Sequence, residues 1–398
     1  MKKLNFRGFS IKISYCAVAL LFVLVSLLFG LQAIQFRGGY ASDYGEHLKF
    51  ALSGEGYSLL YVIIGVLYRI LDSSVLVILL EGSMIILTLL ITKDHLENQY
   101  AHNSIVSFWI AFCLLFLCSP YVPGLFPWFY KNGLITQPWH NITYIGMRPF
   151  ALLAYFATGK ILKNYQEEFS WKNWLAIAIP LFISTNIKPN YLITYCFTLL
   201  IILAVDFLKD AIARKLTFLR FARYIFLGTV VFPSLFILFM QSKVLYGVPQ
   251  EAVEESGIAV TFLTSSFFAG GFVHTTVKVI RDLLFPTIVW IYARGNLSKA
   301  EKMAYLQYLI TLIVVICLKE TGPRANHGNF YWGIFMSAYI LFLSSLSKFA
   351  EFITQNKWSM KNNREKVFAC VGCILAAWHV ISGLVYFGKI CFGCYYLI

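Results

Sequence analysis

Charge is scarce in this chain. Asp, Glu, Lys and Arg make up 13% of its 398 residues, whereas soluble domains average about 25%. So few charges cannot cover the surface of a soluble globule, which excludes an ordinary soluble enzyme. Nine cysteines and eleven prolines are also too few for a disulfide scaffold or a collagen-like chain. Because 59% of the residues are hydrophobic, the chain is predicted to be a polytopic membrane protein rather than a disordered one.

Long apolar runs supply the spans of this membrane protein. The first run extends from residue 13 to 36, long enough to cross about 30 Å of hydrocarbon, so it is predicted to be a retained span rather than a signal peptide. We expect an all-α transmembrane bundle of about ten to twelve spans, forming one integral-membrane domain over residues 1–398. The later runs lie at 57–71, 75–92, 105–122, 149–163, 173–187, 190–208, 224–241, 258–272, 276–293, 305–318, 330–347 and 367–388.

The basic residues are distributed unevenly between these runs. They concentrate before the first span and in the connections near residues 160–172, 209–223, 294–302 and 348–366, which are therefore predicted to be cytoplasmic. The net charge of +14 then indicates contact with anionic lipid, and no nucleic-acid partner is expected. The N-terminus is predicted to be cytoplasmic. The predicted outer segments are 37–56, 123–148, 188–190, 243–257 and 319–329.

This topology contains two conflicts if every apolar run crosses the membrane completely. Full crossings at 57–71, 75–92 and 105–122 would place residue 123 inside, so one of the three is predicted to be re-entrant or to lie on the membrane surface. The run 57–71 is the shortest. The same argument makes 258–272 a candidate half-helix.

The first outer segment contains Asp43, Glu46 and His47, which share one face if the stretch is helical. A carboxylate next to a histidine suits a general base, or a ligand for a divalent cation such as Mg²⁺ or Mn²⁺. The alternative is a loop helix whose charges only face water.

The second outer segment combines aromatic rings with polar donors at Trp139, His140 and Asn141. This combination suits carbohydrate, because sugar C–H faces stack on rings while hydroxyls bind planar amides. The alternative is an aromatic belt at the membrane interface, although a belt does not need His140 and Asn141. Arg148 is expected either to pair with a phosphate or to extend towards the membrane surface.

Two further outer turns carry basic groups. Lys188 lies in a tight turn between two spans. A second turn combines charged and amide side chains with glycines that permit close backbone approach, which is typical of a site for a phosphate or pyrophosphate. Its candidate substrate-binding residues are Glu320, Arg324, His327 and Asn329.

Several other motifs have more than one interpretation. Glu81, Lys278, Arg281 and Asp282 are charges within or beside apolar runs, and such charges are either functional or locally paired. The pairs Cys370/Cys373 and Cys391/Cys394 have the spacing of a zinc ribbon, but an intervening helix would hold them about 30 Å apart. No metal site is therefore predicted at the cysteines.

Taken together, the topology and the stretches 38–47, 139–150 and 320–330 resemble the GT-C superfamily of integral-membrane glycosyltransferases, in particular its uncharacterised bacterial members. The resemblance implies a multi-pass protein of the bacterial plasma membrane that transfers a sugar from a polyprenyl-phosphate donor to a hydroxyl of a glycan, lipid or protein acceptor. Asp43 takes the place of the base. Arg324 and His327, with Arg148 or Lys188, would hold the phosphate.

Two other functions stay open at this point. A polysaccharide polymerase or O-antigen ligase would use the same outer-face chemistry, although such enzymes normally carry one large outer loop. A flippase or transporter of lipid-linked oligosaccharides is the non-enzymatic alternative, and it would favour internal repeats and charges at the membrane midplane.

Overall fold

A computed structural model describes residues 6–35, 43–54, 58–100, 103–126, 133–246, 257–261, 270–322, 329–356 and 362–392. Within these residues the chain is almost entirely helical, so the predicted all-α fold class is confirmed. The helices are α1 (Phe6–Gln35), α2 (Tyr44–Ser53), α3 (Leu59–Leu71), α4 (Val75–Tyr100), α5 (Ser104–Leu115), α6 (Ile142–Ile161), α7 (Trp171–Ile187), α8 (Asn190–Ile212), α9 (Phe218–Gly228), α10 (Phe232–Tyr246), α11 (Phe272–Ala293), α12 (Lys299–Cys317), α13 (Trp332–Asn356) and α14 (Asn363–Cys391).

Seven helical segments of the described residues are long and apolar enough to cross a membrane, as expected of a multi-pass membrane protein. Helices α6, α7 and α11 are also 17 to 22 residues long but do not meet the same criterion of length and hydropathy. The side of the membrane on which each connection lies stays a prediction. The seven segments are Tyr15–Ala33, Val75–Tyr100, Asn190–Ile212, Phe218–Ser242, Lys299–Cys317, Trp332–Gln355 and Asn363–Cys391.

Helix α3 is too short to cross a membrane. Its 13 residues rise about 20 Å against a hydrocarbon core of about 30 Å. This length agrees with the sequence-based prediction that the run 57–71 does not span completely.

The predicted run 105–122 is helical only in its first part, because α5 ends at Leu115. Helix α14 packs against the following non-helical backbone, where a Cβ on Gly383 would clash with the Phe116 carbonyl oxygen. His379 Nδ1 lies 2.7 Å from the Cys118 carbonyl oxygen. Ser382 Oγ accepts from the Tyr121 N–H at 3.1 Å. Non-helical backbone at membrane depth requires such partners, and one face of α14 supplies them.

The structure corrects the half-helix expected at 258–272. Ile258–Val260 forms a strand, β1, which pairs antiparallel with β2 (Leu318–Glu320) so that Ile258 lies opposite Glu320. Residues 262–269 lie outside the described part, and the next helix begins at Phe272. The first residues of the expected half-helix are therefore a β-strand, and they pair with the strand that follows α12.

The chain divides into two compact units, with boundaries before and inside α3, inside α6 and inside α13. Unit 1 comprises Met1–Gly56, Tyr61–Pro149 and Leu346–Ile398, and unit 2 comprises Tyr57–Leu60 and Phe150–Ser345. In unit 1, α1 and α4 approach so closely that a Cβ on Gly82 would lie 2.5 Å from Ser26 Oγ. In unit 2, a Cβ on Gly159 would lie 2.8 Å from the Ala300 side chain. Small residues therefore permit close helix packing in each unit.

Candidate functional site

Asp43 lies at the N-terminus of α2, and its carboxylate is not used to cap that helix. Tyr44 is 3% exposed, and its burial fixes the first turn of α2 in unit 1. Burial also raises the pKa of Tyr44, so its phenol remains neutral. At the other end, Gly54 closes α2 with a φ of 76°, a left-handed conformation that glycine adopts without steric cost. The ends of α2 thus determine where the Asp43 carboxylate lies.

Asn141 caps α6 and binds Asp43 at the same time. Its Oδ1 accepts from Thr143 Oγ1 at 2.8 Å and from the Tyr144 N–H at 2.9 Å, as in an N-cap. Because Oδ1 is occupied as an acceptor, the amide orientation is determined, and Nδ2 is left as the donor. Asn141 Nδ2 donates to Asp43 Oδ2 at 3.0 Å.

His47 lies one turn after Asp43 and joins the same cluster through Asn141. Its Nε2 lies 3.3 Å from Asn141 Nδ2, and its Nδ1 lies 2.8 Å from the hydroxyl of Tyr61 on α3. Since Asn141 Nδ2 can only donate, a neutral His47 with its proton on Nδ1 satisfies both contacts. Tyr61 therefore orients a histidine whose other nitrogen faces the shared amide.

His140 supplies a second imidazole to Asp43. His140 Nε2 lies 3.9 Å from Asp43 Oδ2, and the His140 side chain is 2% exposed while that of Asp43 is 33% exposed. One side of the carboxylate is therefore held by buried polar groups and the other remains accessible. A positioned, accessible carboxylate can accept a proton from a hydroxyl.

Glu46 does not join this cluster. Its side chain is exposed on α2, and within the described residues it shows none of the contacts of Asp43 or His47. An acidic residue in the first turn of a helix interacts favourably with the helix dipole, which accounts for Glu46 without a substrate.

Trp139 is a core residue, contrary to the expectation that its ring stacks on a sugar. It is 2% exposed, and its ring packs against Phe116 and Phe387 with centroid separations of 5.6 and 4.8 Å. Its carbonyl accepts from Gln32 Nε2 on α1 at 3.3 Å. These contacts fix the backbone just before His140 and Asn141, so Trp139 helps to position these two residues.

Arg148 lies inside α6 rather than at the edge of a span, and it is only 1% exposed. It therefore does not extend to the membrane surface, which was one of its two expected roles. Its Nη1 donates to Gln137 Oε1 at 2.8 Å, and Gln137 Nε2 in turn donates to the Ile135 carbonyl at 3.3 Å. In the structure, Arg148 tethers the segment that leads to Asn141.

The remaining predicted residues belong to unit 2 or lie outside the described residues. Lys188 is 7% exposed, and its Nζ lies 4.3 Å from the centre of the Trp332 ring, a cation–π contact. Glu320 is 5% exposed at the end of β2. Arg324 and His327 lie outside the described residues, as does the side chain of Asn329. Their phosphate-binding role stays a prediction.

Unit 2 also holds a buried charge cluster on α11. Arg281 Nε donates to Asp282 Oδ1 at 2.6 Å, and Lys278 Nζ lies 3.5 Å from the Tyr331 hydroxyl. All three charged residues are less than one-tenth exposed, with Asp282 at 0%. The pairing of Arg281 with Asp282 agrees with the local pairing that the sequence left open.

The donor set around Asp43 gives little support to a divalent cation. It offers one carboxylate, one amide and two imidazoles, whereas Mg²⁺ prefers several oxygen ligands. Across the described part of the chain, no three His, Cys, Asp or Glu side chains converge as metal ligands do. The divalent cation expected near Asp43, Mg²⁺ or Mn²⁺, stays a prediction.

Comparison with protein-family models and with curated proteins finds no match to this chain. Its function is therefore inferred from the geometry of the site.

Proposed function

We propose that this protein is a membrane-embedded glycosyltransferase of GT-C type that transfers a sugar from a polyprenyl-phosphate donor to an acceptor hydroxyl. The observation that carries the proposal is Asp43, a partly exposed carboxylate held by Asn141 with His140 beside it. Such a carboxylate at the end of a surface helix suits a general base for an alcohol.

In the proposed reaction, Asp43 takes the proton from the acceptor hydroxyl while the hydroxyl oxygen attacks the anomeric carbon. The bond between that carbon and the phosphate oxygen breaks, and the lipid phosphate leaves with the electron pair. The reaction inverts the configuration of the sugar. Arg324 and His327 are the predicted groups that stabilise the phosphate.

Asn141, His47 and Tyr61 act as positioning residues in this proposal. Asn141 donates to one carboxylate oxygen, Oδ2, so an acceptor can approach the other. His47 and Tyr61 hold the Asn141 amide from its other side. A base fixed in this way loses less freedom when the acceptor binds.

The direct test is sugar transfer by purified Asp43→Asn protein in nanodiscs, using radiolabelled polyprenyl-phosphate sugars. Asparagine has the same shape but cannot accept the proton, so we expect a loss of about 10²–10⁴-fold. Glu46→Gln is the matched control, because it removes an acid from the same helix outside the cluster.

Two outcomes would reject the proposal. Activity of Asp43→Asn within severalfold of the unmodified protein would remove Asp43 from the role of base. Absence of transfer by the unmodified protein with any monophosphate donor, together with transfer from a polyprenyl-diphosphate oligosaccharide, would favour the ligase or polymerase alternative.

A further inference from the structure

A groove between α2 and α3 shares Tyr61 with the cluster around Asp43. It encloses about 170 Å³, and its α3 wall repeats every four residues at Tyr61, Gly65 and Arg69, so it follows the axis of that helix. Among the described residues, the groove is lined by Phe50, Ala51, Gly54, Tyr61, Val62, Gly65, Val66 and Arg69.

Close packing of the two helices forms the floor of the groove. A Cβ on Gly65 would lie 2.6 Å from the Ala51 carbonyl oxygen, so only glycine permits this approach. The rim is open and apolar, with Phe50, Val62 and Val66 exposed by 42%, 61% and 53%. In a membrane protein, an open apolar rim of this kind faces hydrocarbon.

The volume suits a short hydrocarbon segment. An apolar cavity of about 150 Å³ in another protein takes up benzene, which has six carbons. The groove therefore accommodates a comparable stretch of a lipid chain, and its open side lets the rest of the chain continue into the bilayer.

Arg69 places a positive charge at one end of this groove. It is exposed, and one guanidinium nitrogen, Nη2, donates to the Leu52 carbonyl at 3.2 Å. Within the described residues this is the one hydrogen bond shown for a group with five N–H donors. The candidate span α4 begins at Val75, six residues after Arg69. Arg69 therefore lies near the end of a span, and lipid phosphates lie at the same depth.

We propose that this groove binds an acidic phospholipid, with its phosphate on Arg69 and part of one acyl chain against Gly65 and Val66. A guanidinium fork suits phosphate oxygens, and an apolar groove suits the chain. Tyr61 lines the groove and also contacts His47, so a bound lipid restrains the phenol that orients this histidine. The site is independent of which reaction Asp43 performs.

Two alternative roles for the groove predict different results. Arg69 could serve only to cap the last turn of α2 through Leu52, in which case its loss would lower thermal stability and leave lipid binding unchanged. Alternatively, the groove could hold the isoprenoid tail of a polyprenyl phosphate rather than a phospholipid chain.

The test uses a phosphatidylglycerol that carries a diazirine in its acyl chain, with the purified full chain in nanodiscs of phosphatidylcholine. We expect labelled peptides from residues 50–66, and an excess of unlabelled phosphatidylglycerol should abolish the labelling. Val66→Trp fills the groove and Arg69→Gln removes its charge, so each should reduce labelling about tenfold. For Arg69→Gln, this is the effect of losing one charge-assisted hydrogen bond. Ile70→Trp is the control, because Ile70 is 62% exposed on the same helix but does not line the groove.

Undiminished labelling in both Val66→Trp and Arg69→Gln, with thermal stability retained, would overturn the site. Equal labelling by a phosphatidylcholine probe would overturn its preference for an acidic lipid. Displacement by polyprenyl phosphate but not by phosphatidylglycerol would overturn the identity of the occupant. If Arg69→Gln fails to fold, Val66→Trp and the competition experiment still decide the question, and neither requires sugar transfer.

Discussion

Two aspartates in this protein, Asp206 and Asp43, differ in the groups that balance the charge of their carboxylates. In unit 2, Asp206 accepts from Lys299 Nζ at 2.8 Å and from the Tyr165 hydroxyl at 3.1 Å. In unit 1, Asp43 accepts from the Asn141 amide, and the nearest basic nitrogen shown, His140 Nε2, is 3.9 Å away.

Accessibility follows the same division. The side chain of Asp206 is 10% exposed, whereas that of Asp43 is 33% exposed. Burial, with the adjacent Asp206 charge, raises the pKa of Tyr165, which therefore stays a neutral donor to Asp206. A carboxylate closed by a cation and a phenol stabilises the fold, whereas one that is oriented but open is available to a substrate.

The largest expected effect on activity comes from replacing the aspartate of each cluster by asparagine. Asp43→Asn should reduce sugar transfer by about 10²–10⁴-fold if the carboxylate is the proposed base, with little change in thermal unfolding. Asp206→Asn should leave the transfer rate of the folded fraction unchanged. Measuring transfer and unfolding on both variants in the same nanodiscs checks this, and loss of transfer at unaltered stability in Asp206→Asn would abolish the distinction.

The second prediction concerns stability. Asp206→Asn leaves Lys299 without its anion and weakens the hydrogen bond to Tyr165. Hydrogen bonds to charged groups contribute about 1.5–3 kcal/mol each, and Lys299 is 40% exposed, so we expect a loss nearer the lower value. Thermal unfolding in detergent measures it. Glu168→Gln, at an exposed position of the same unit, is the control for loss of one negative charge.

The third prediction separates the two roles of Asn141. Serine is nearly as good an N-cap, so Asn141→Ser should retain the stability of α6, while Asn141→Ala should lose about 1 kcal/mol. Both remove the Nδ2 donor to Asp43 and should reduce kcat about tenfold. If kcat were unchanged in Asn141→Ser, the contact with Asp43 would have no part in activity.

The sequence predicted the helical membrane fold because long apolar runs and scarce charge require it. It also selected Asp43, His140 and Asn141, since polar residues beside a span end have few structural reasons to be there. It could not predict that Trp139 would be buried, because a tryptophan beside polar residues suits either a core or a sugar-binding surface. Tertiary packing against Phe116 and Phe387 decides the matter.

Tyr61 was missed for a related reason. It lies within the apolar run 57–71, where a tyrosine is unremarkable, and its partner His47 comes from another helix. Arg148 was misplaced in the same way, because α6 begins at Ile142 rather than at the first residue of the apolar run. Residues 139–148 lack the hydrophobic periodicity that predicts a helix. Even so, α6 begins within them, because Asn141 caps its N-terminus.

The smallest expected effect tests how far the orientation of the cluster extends from Asp43. Tyr61→Phe removes only the hydroxyl that contacts His47 Nδ1, and a neutral hydrogen bond contributes about 0.5–1.5 kcal/mol. A positioning role predicts that kcat falls about two- to tenfold while KM for the donor stays constant. Tyr305→Phe is matched in chemistry, since its hydroxyl lies 2.9 Å from the Pro286 carbonyl and 3.1 Å from Ser345 Oγ in unit 2. Because the partners shown for the Tyr305 hydroxyl belong to unit 2, its substitution should affect thermal unfolding alone. Equal losses of kcat in the two variants would mean that loss of either hydroxyl lowers activity through stability. Tyr61 would then have no positioning role towards Asp43.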